Sequence, residues 1–396
     1  MPAKGAGPLQ SSPHFTDVLV VGGGVIGLPA AWRLAREGAS VRVIDASGTR
    51  GATWASAGML APVSESFFGE EDLLRLNLVA LSRFPSFAAE LEAAVEQLVG
   101  LRREGTLVVA LDNGDRAALT RLSAFRASLG FATEELIGSA ARRLEPYLST
   151  EVRAAVLAPG DRSVDNRRYA MALHAGVARA GVEVVERRVV ELVVDGGRAR
   201  GARTDDGSEW RADTVVLAAG AWSRDLPGLP AAGAPPVRPV KGQILRLGLP
   251  PAMRSAGPVL SHTVRAIARG SEVYLVPRAD GELVVGATSE EQGFDETVTA
   301  WAVSQLLRDA QEVLPIVGEL ALVEARVGLR PGTPDNGPVV GGCPVEGLIL
   351  ATGHYRNGIL LSALTADAVV DLVAGRAPGP EWAPFSPDRF SKGAAA

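Results

Sequence analysis

The chain has 396 residues, of which 47% are apolar and 21% are charged, and its formal net charge at pH 7 is −5. This composition is sufficient for one large or two medium domains with apolar cores, and the absence of a long basic block argues against nucleic acid as a partner. The single cysteine, Cys343, excludes an intramolecular disulfide framework and a multi-cysteine zinc site, so we expect a cytoplasmic protein without a metal site.

The N-terminal stretch MPAKGAGPLQSSP is rich in Gly, Pro and Ser and lacks the apolar run of a signal peptide, which predicts a tail over 1–13. The apolar stretch from Val18 to Ala35 raises the question of a transmembrane helix. Because glycines and a proline interrupt it and Arg33 lies in its helical half, a buried strand followed by a buried helix is favoured. We therefore expect no stable membrane insertion.

The sequence FTDVLVVGGGVIGLPAAWRLAREGASVRVIDAS predicts a βαβ unit. A β-branched apolar run up to Val21 meets Gly22-x-Gly24-x-x-Gly27, a helical pattern follows, and a second strand ends on Asp45. In the dinucleotide fingerprint the glycines permit a tight turn, close backbone approach to a pyrophosphate and close helix–strand packing, while the acid accepts hydrogen bonds from a ribose. A bare βαβ turn without a ligand is the alternative, and the motif alone does not distinguish NAD from FAD.

Small residues occur at two further places. The stretch GTRGATWASAGMLAP follows the βαβ unit and has only Trp54 and Met59 as bulky members, and RADTVVLAAGAWS later opens into Ala218-Ala219-Gly220. Small side chains let the backbone approach a large planar ligand, whereas a nicotinamide dehydrogenase normally continues with another βαβ unit after the first. These stretches favour a flavin.

Strand patterns dominate the middle of the chain. The stretch VEVVERRVVELVVDGGRARGARTDDGSEWRAD predicts a β-meander with turns at Asp195-Gly196-Gly197 and Asp206-Gly207. The stretches GTLVVAL, VRPVKGQILRLGL, VYLVPR and ELVVGAT predict an antiparallel sheet, with a hairpin turn at Asp280-Gly281. Two helical runs, EDLLRLNLVALSRFPSFAAELEAAVEQ and ETVTAWAVSQLLRDAQEVL, are expected to cover the outer face of that sheet.

Near the end of the chain, ATGHYRNGILLSA joins an apolar strand that stops at Gly353 to a helix-like run that starts at Ile359. Four hydrogen-bonding residues lie between them: His354, Tyr355, Arg356 and Asn357. A surface turn is one interpretation. A ligand at the start of the helix is the other, because the first amides of a helix attract negative charge.

Together these stretches resemble the D-amino acid oxidase superfamily of FAD enzymes, and within it the chain is similar to the glycine oxidases of thiamine biosynthesis. The matching stretches are VVGGGVIGLPAAWRLA, GATWASAGMLAP, VRPVKGQILRL, VYLVPRADGELVVGATSEEQGFD, VGLRPGTPDNGP and ATGHYRNGILL, in family order. The resemblance implies an α/β fold, α+β in part and glutathione-reductase-like, in which a Rossmann-like FAD-binding domain is interleaved with an antiparallel-sheet substrate domain. The implied FAD-binding segments are 14–80, 150–235 and 325–375, the substrate segments 81–149 and 236–324, and the tails 1–13 and 376–396.

The resemblance also implies roles for four residues. Arg330 would bind the carboxylate of an amino acid bidentately, and Tyr274 would donate a second hydrogen bond to it. Arg356 would lie near the substrate and the reduced flavin ring, and Met59 would line the substrate pocket. The structural alternatives are a surface arginine at a strand end for Arg330, an amphipathic core residue for Tyr274 and core filling for Met59.

The predicted FAD contacts come from the glycine-rich turn, the small-residue stretches and the segment before the last helix. They are Gly22, Gly24, Val25, Ile26, Gly27, Asp45, Ala46, Thr53, Ala55, Ala57, Gly58, Met59, Val189, Ala219, Gly220, Trp222, Arg330, His354, Arg356, Asn357, Gly358, Ile359 and Leu360. For His354 a packed or loop-bonding imidazole is the alternative. Sarcosine oxidases of the superfamily attach FAD through a cysteine in the loop equivalent to LRPGTPD, where this chain has Arg330, so we predict non-covalent FAD.

The implied reaction is the FAD-dependent oxidative deamination of glycine, sarcosine and small D-amino acids to a 2-oxo acid, ammonia and hydrogen peroxide, in thiamine biosynthesis. The predicted partners are a small amino acid and dioxygen, and we expect a homo-oligomer. The alternatives are a dehydrogenase that passes electrons from D-amino acids or sarcosine to a quinone or carrier, and a flavin-binding protein without turnover. Glu272, where a histidine can stand, and Ser289, in place of a bulky apolar residue, depart from the oxidase pattern and leave the preferred amine open.

Overall fold

The computed structural model describes residues 14–46, 48, 51–268 and 271–393. Its strands are β1 (His14–Val21), β2 (Val41–Ile44), β3 (Met59–Leu60), β4 (Thr106–Ala110), β5 (Glu134–Ile137), β6 (Ala154–Ala158), β7 (Arg162–Ser163), β8 (Glu183–Val185), β9 (Val189–Asp195), β10 (Arg198–Thr204), β11 (Glu209–Leu217), β12 (Arg238–Gly248), β13 (Thr263–Ala268), β14 (Ser271–Pro277), β15 (Leu283–Gly286), β16 (Ala321–Gly332), β17 (Val339–Gly342) and β18 (Leu348–Thr352). Its α-helices are α1 (Gly27–Arg36), α2 (Glu71–Val95), α3 (Asn113–Ser128), α4 (Gly138–Leu144), α5 (Asn166–Arg179), α6 (Ala300–Val313) and α7 (Gly358–Val373). Across these residues no helix is both long enough and apolar enough to span a bilayer.

The first eight-stranded sheet is largely parallel and contains the predicted βαβ unit. Its order is β17-β18-β11-β1-β2-β8, and β10 and β9 extend it from β11. The strand β1 pairs in parallel with β11 and β2, and β9, β10 and β11 form the predicted antiparallel meander. Leu19 and Val20 of β1 are fully buried, as expected for a parallel strand covered on both faces.

The second eight-stranded sheet has the order β16-β12-β15-β14-β13-β4-β6-β5. Its pairs are antiparallel with one exception, because β4 and β13 run parallel. The predicted antiparallel sheet is therefore present, with this one parallel pair in it. These two strands are separated by a long part of the chain that passes through the first sheet, and such a crossover permits parallel pairing. The predicted hairpin at Asp280-Gly281 joins β14 to β15, and α6 packs on this sheet as expected.

The helix α2 lies elsewhere than predicted. It was expected to cover the second sheet, but it packs on α5 and α7 beside the first sheet. Phe87 meets Trp32 of α1 edge-on with ring centroids 5.3 Å apart, and Phe84 lies 5.4 Å from the ring of Tyr169 in α5. The apolar periodicity of a helix predicts which face is buried, but it does not identify the element that buries it.

Sheet membership differs from the predicted domain segments at several points. The strand β6 belongs to the second sheet although it lies in 150–235, and β16 crosses the predicted boundary at 325. Trp382 and Phe385 are buried in the core of the first sheet, so the C-terminal region is not a tail throughout. These two aromatic residues lie in a short 3₁₀ turn, which has no periodicity to predict it. The predicted N-terminal tail lies outside the described residues.

Candidate active site

A cavity of about 690 Å³ lies between the two sheets. On one side it is lined by the segments that follow the carboxyl ends of β1, β2, β11 and β18, and on the other by residues of β12, β13, β14 and β16. In α/β sheets this crevice beyond the carboxyl ends of the strands is where ligands bind. The fold therefore brings together segments from the whole length of the chain around one site.

At one end of the cavity the glycine-rich turn passes close to β11. Gly22 has a φ of 108°, and a Cβ atom there would lie 2.3 Å from the carbonyl oxygen of Ala218. The amide of Val25 donates to Thr53 Oγ1 at 3.2 Å, which fixes the turn. The helix α1 begins after Ile26 without a side-chain cap or an acid in its first turn, so its positive dipole end can receive phosphates.

Three of the predicted FAD contacts do not line the cavity. A Cβ atom at Gly27 would lie 1.9 Å from the carbonyl oxygen of Gly22, so this glycine permits helix packing instead. Asn357 precedes α7 and donates its amide to the carbonyl of His354 at 2.8 Å, and Leu360 is buried in the helical core. The other predicted contacts all line the cavity.

The segment between β18 and α7, residues 353–357, forms another part of the wall of the cavity. Gly353 has a φ of 74°, and the chain turns there so that Gly358 and Ile359, at the start of α7, line the cavity. The helix has no side-chain cap and no acid in its first turn. The surface-turn interpretation of this segment is therefore wrong, because its backbone lies on the wall of the site.

His354 is buried beside this helix start. Its Nε2 atom lies 3.0 Å from Thr365 Oγ1, and burial lowers the pKa of the imidazole to about 3, so the ring is neutral at physiological pH. Its Nδ1 atom is buried without a hydrogen-bond partner among the described residues, and the residue lines the cavity. An unpaired buried nitrogen is costly, which indicates that a bound group supplies the partner.

These features fit FAD. Two uncapped helix starts line one cavity, and its wall carries His354 Nδ1, which has no hydrogen-bond partner in the part of the chain that the structure describes. At Gly220 a Cβ atom would have no neighbour within 4 Å, so this part of the wall is open. Asp45, at the end of β2, lies next to Gly23, in the position expected for a ribose contact.

At the other end of the cavity, Arg330 projects from β16 across the neighbouring strand β12. Its guanidinium lies over Gly242, where a Cβ atom would be 2.3 Å from Nη1, and Nη1 donates to the carbonyl of Thr288 at 3.1 Å. The side chain is partly buried and lines the cavity. It is therefore not the free surface arginine that the sequence left open.

Tyr274 lies beside Arg330 on β14. The residue opposite it in β15 is Gly286, where a Cβ atom would be 2.3 Å from the Tyr274 hydroxyl oxygen. Burial raises the pKa of Tyr274, although the positive charge of Arg330 opposes this shift. The tyrosine is thus a neutral hydrogen-bond donor close to a guanidinium, which is a suitable pair for binding a carboxylate.

Three charged residues near Tyr274 form a group that the sequence did not reveal, which we call the Glu65–Arg265–Glu272 cluster. Arg265 Nη1 donates to Glu65 Oε1 at 2.6 Å and lies 3.8 Å from the sulfur of Met59, and Arg265 Nη2 lies 3.8 Å from Glu272 Oε2. All of these residues line the cavity. Strand alternation relates Glu272 to Tyr274 and could have indicated one member, but the other two come from distant segments.

Arg356 lies at the mouth of the cavity. Its guanidinium stacks on the ring of Tyr355 at 5.2 Å from the centroid. Burial alone would raise the pKa of Tyr355, but Arg356, a hydrogen bond with Ser289 and the charge of Arg330 together lower it. Ser289 therefore has a hydrogen-bond partner, Tyr355, in the wall of the cavity.

Fold and site together define a two-sheet flavoprotein with a small-molecule pocket, lined by Arg330 and Tyr274, at one end of its dinucleotide cavity. Comparison with models of protein families agrees with this class and identifies the family. Residues 17–372 match the family described as FAD dependent oxidoreductase, and the chain belongs to this family. The protein is an FAD-dependent oxidoreductase, and the predicted cofactor is confirmed.

Individual relatives place the chain near the glycine oxidases. It is 35% identical over 377 residues to the glycine oxidase of Geobacillus kaustophilus, covering 94% of this chain and 97% of that one. The crystal structure of that species' glycine oxidase superposes with a TM-score of 0.86 over 94% of this chain and 98% of the other, which confirms the predicted fold. The structure of iminodiacetate oxidase from Chelativorans sp. is 28% identical, with a TM-score of 0.83 over 93% and 98% of the two chains.

The bifunctional protein ThiO/ThiG of Synechocystis sp. is 34% identical over 378 residues. The match covers 95% of this chain and 54% of that protein, so the chain spans about half the length of this bifunctional relative. The predicted similarity to glycine oxidases is confirmed at this level of identity.

Proposed function

We propose that the protein oxidises small amino acids, with glycine and sarcosine as the first candidates, to a 2-oxo acid and an amine or ammonia. The observation that carries this proposal is the side-by-side placement of Arg330 and Tyr274 at one end of the cavity, each lying over a glycine of a neighbouring strand. FAD, when bound, accepts the two electrons released by oxidation of the carbon–nitrogen bond, and dioxygen takes them up to give hydrogen peroxide.

The side chains hold and orient the substrate. Arg330 binds its carboxylate, because a guanidinium matches that group bidentately, and Tyr274 donates a further hydrogen bond to it. Met59 limits the space beside the bound molecule, and Arg356 adds positive charge at the mouth of the cavity. Water then hydrolyses the imine that forms. We assign no side chain as a base.

The relatives support this proposal. Two of them are named glycine oxidase and iminodiacetate oxidase, and the amines in these names carry one and two carboxylates respectively. The similarity to ThiO/ThiG supports a role in thiamine biosynthesis as part of the same proposal.

We also propose that FAD is bound without a covalent bond. Arg330 stands in the stretch LRPGTPD, where covalent relatives have cysteine. Cys343 is partly buried against the core of the first sheet, with its Sγ atom 3.8 Å from the carbonyl oxygen of Val345. Acid precipitation should leave the yellow colour in the supernatant. A yellow pellet would contradict this assignment.

A product assay in aerated buffer tests the reaction. With glycine we expect glyoxylate, ammonia and hydrogen peroxide in equal amounts, and with sarcosine glyoxylate and methylamine. Oxidation of these amines only when an artificial electron acceptor is added, without peroxide, would identify the dehydrogenase alternative instead. No product from any small amino acid would contradict the proposal.

A further inference from the structure

The Glu65–Arg265–Glu272 cluster contains a third guanidinium at the substrate end of the cavity, in addition to those of Arg330 and Arg356. This guanidinium belongs to Arg265, which is paired with Glu65. The side chains of Arg265 and Glu65 are only 11% and 15% exposed, whereas that of Glu272 is 54% exposed. Two carboxylates and one guanidinium give the cluster one net negative charge. A partly buried pair of this kind is screened less by solvent than a surface pair.

The cluster lines the same end of the cavity as Arg330 and Tyr274. Arg265 is the cross-strand neighbour of Tyr274 in the β13–β14 hairpin, and it contacts Met59. Burial has the largest effect on the pKa of Tyr274, and the charges of Arg330, Glu65, Arg265 and Arg356 also act on it. The cluster therefore lies next to the residues that would bind the carboxylate of a substrate.

The backbone that carries Glu65 is fixed from behind. The buried carboxylate of Asp161 accepts the amides of Val63 and Ser64, each at 3.1 Å, and Arg126 Nη2 donates to the carbonyl of Ser64 at 2.7 Å. Glu65 is thus held next to Arg265 and cannot be displaced by a movement of its loop without breaking these bonds.

We propose that Glu65 and Arg265 select substrates by charge, so that the enzyme accepts amines with one carboxylate and rejects amines with two. This inference rests on the proposed function. A second carboxylate would approach Glu65 and Glu272, and Arg265, the guanidinium between them, is already paired with Glu65. Arg356 does not replace it, because it lies at the mouth of the cavity, where it stacks on Tyr355. Repulsion between like charges in a partly buried site disfavours binding of the second carboxylate. The guanidinium of Arg265 offsets little of this repulsion, because it already donates to Glu65.

The test compares glycine with iminodiacetate, and acetate with malonate as ligands that are not oxidised. For the wild-type holoenzyme we expect kcat/KM for iminodiacetate to be at least about tenfold below that for glycine. Glu65→Gln frees much of Arg265 and should raise the iminodiacetate-to-glycine ratio about tenfold or more. By titration calorimetry, it should also tighten malonate relative to acetate.

Glu272→Gln is the matched comparison, because it removes the same charge but leaves the Arg265–Glu65 pair intact. We expect it to raise the ratio no more than about threefold. In the double variant Glu65→Gln/Arg265→Gln, the gain of the single variant should disappear.

Three results would overturn the inference: a wild-type enzyme that oxidises iminodiacetate as efficiently as glycine, equal effects of the two glutamine variants, or a double variant that keeps the gain. Equal wild-type efficiency with the two amines would overturn the inference even if Glu65→Gln does not fold. If neither amine is oxidised, the proposed function fails. Weaker binding of malonate than of acetate to the wild type would then still support selection by charge, and equal or tighter binding of malonate would overturn it.

Discussion

At the scale of single residues, the site depends on what lies under its two anchoring side chains. Arg330 and Tyr274 were predictable from the stretches VGLRPGTPDNGP and VYLVPR, because the family resemblance pointed to them. The glycines beneath them, Gly242 and Gly286, were not predictable, because their importance follows from strand register and not from any local pattern.

Substitution of Gly242 by alanine tests this arrangement. Its Cβ would lie 2.3 Å from Arg330 Nη1 and would push the guanidinium out of its position. We expect kcat/KM for glycine to fall by about tenfold or more, mainly through KM, because such overpacking costs about 1–3 kcal/mol. Gly248→Ala is the control on the same strand, since its new atom meets only the end of the exposed side chain of Val323. Equal kinetics for both variants would show that the position of Arg330 does not matter.

At the scale of elements, the segment that carries Glu65 is held by a carboxylate whose ionisation is costly. Burial raises the pKa of Asp161 to about 6, although the amides of Val63 and Ser64 oppose the shift. Since the folded-state pKa lies above the unfolded value, the folded protein retains a proton that the unfolded chain has lost between about pH 4 and about pH 6. Its contribution to stability is therefore present at low pH and is lost as the pH rises through about 6.

The comparison of wild type with Asp161→Asn isolates this contribution, because all other titrating groups cancel. We expect the stability of the wild type relative to the variant to fall by about 2 kcal/mol between about pH 4.5 and about pH 7. Urea unfolding of the two proteins at several pH values measures it. A difference that stays constant or rises with pH would contradict the assignment.

The start of α7 is the second element with a specific expectation. Gly358 lines the cavity at an uncapped helix start, and a Cβ there meets nothing closer than 3.7 Å, so a larger residue can be placed. Gly358→Asp adds a negative charge where the helix amides favour negative charge on a ligand. We expect the reduction potential of the bound flavin to fall by about 10–40 mV relative to Gly358→Asn, which has a similar size. Equal potentials in the two variants would show that this helix start does not act on the flavin.

At the scale of the whole molecule, the sequence predicted most of the architecture. The βαβ unit, the meander over 189–217 and the hairpin of β14 and β15 all follow from local turn chemistry and periodicity, and each is present. The side on which α2 packs and the buried position of Trp382 could not be predicted, because both depend on the partner surface and not on the segment itself. The Glu65–Arg265–Glu272 cluster could not be predicted either, because the fold brings its members together from separated parts of the chain.

The central claim is that Arg330 anchors a carboxylate against the flavin cavity between the two sheets. Anaerobic mixing of the yellow protein with limiting glycine, followed by the loss of flavin absorbance, tests it most directly. Arg330→Met should bleach at least about 100-fold more slowly than the wild type, because a charge-assisted pair is lost. Arg326→Met, on the same strand and paired with Glu324, should bleach at nearly the wild-type rate. Equal bleaching of Arg330→Met and the wild type, or a wild type that stays yellow, would contradict the account.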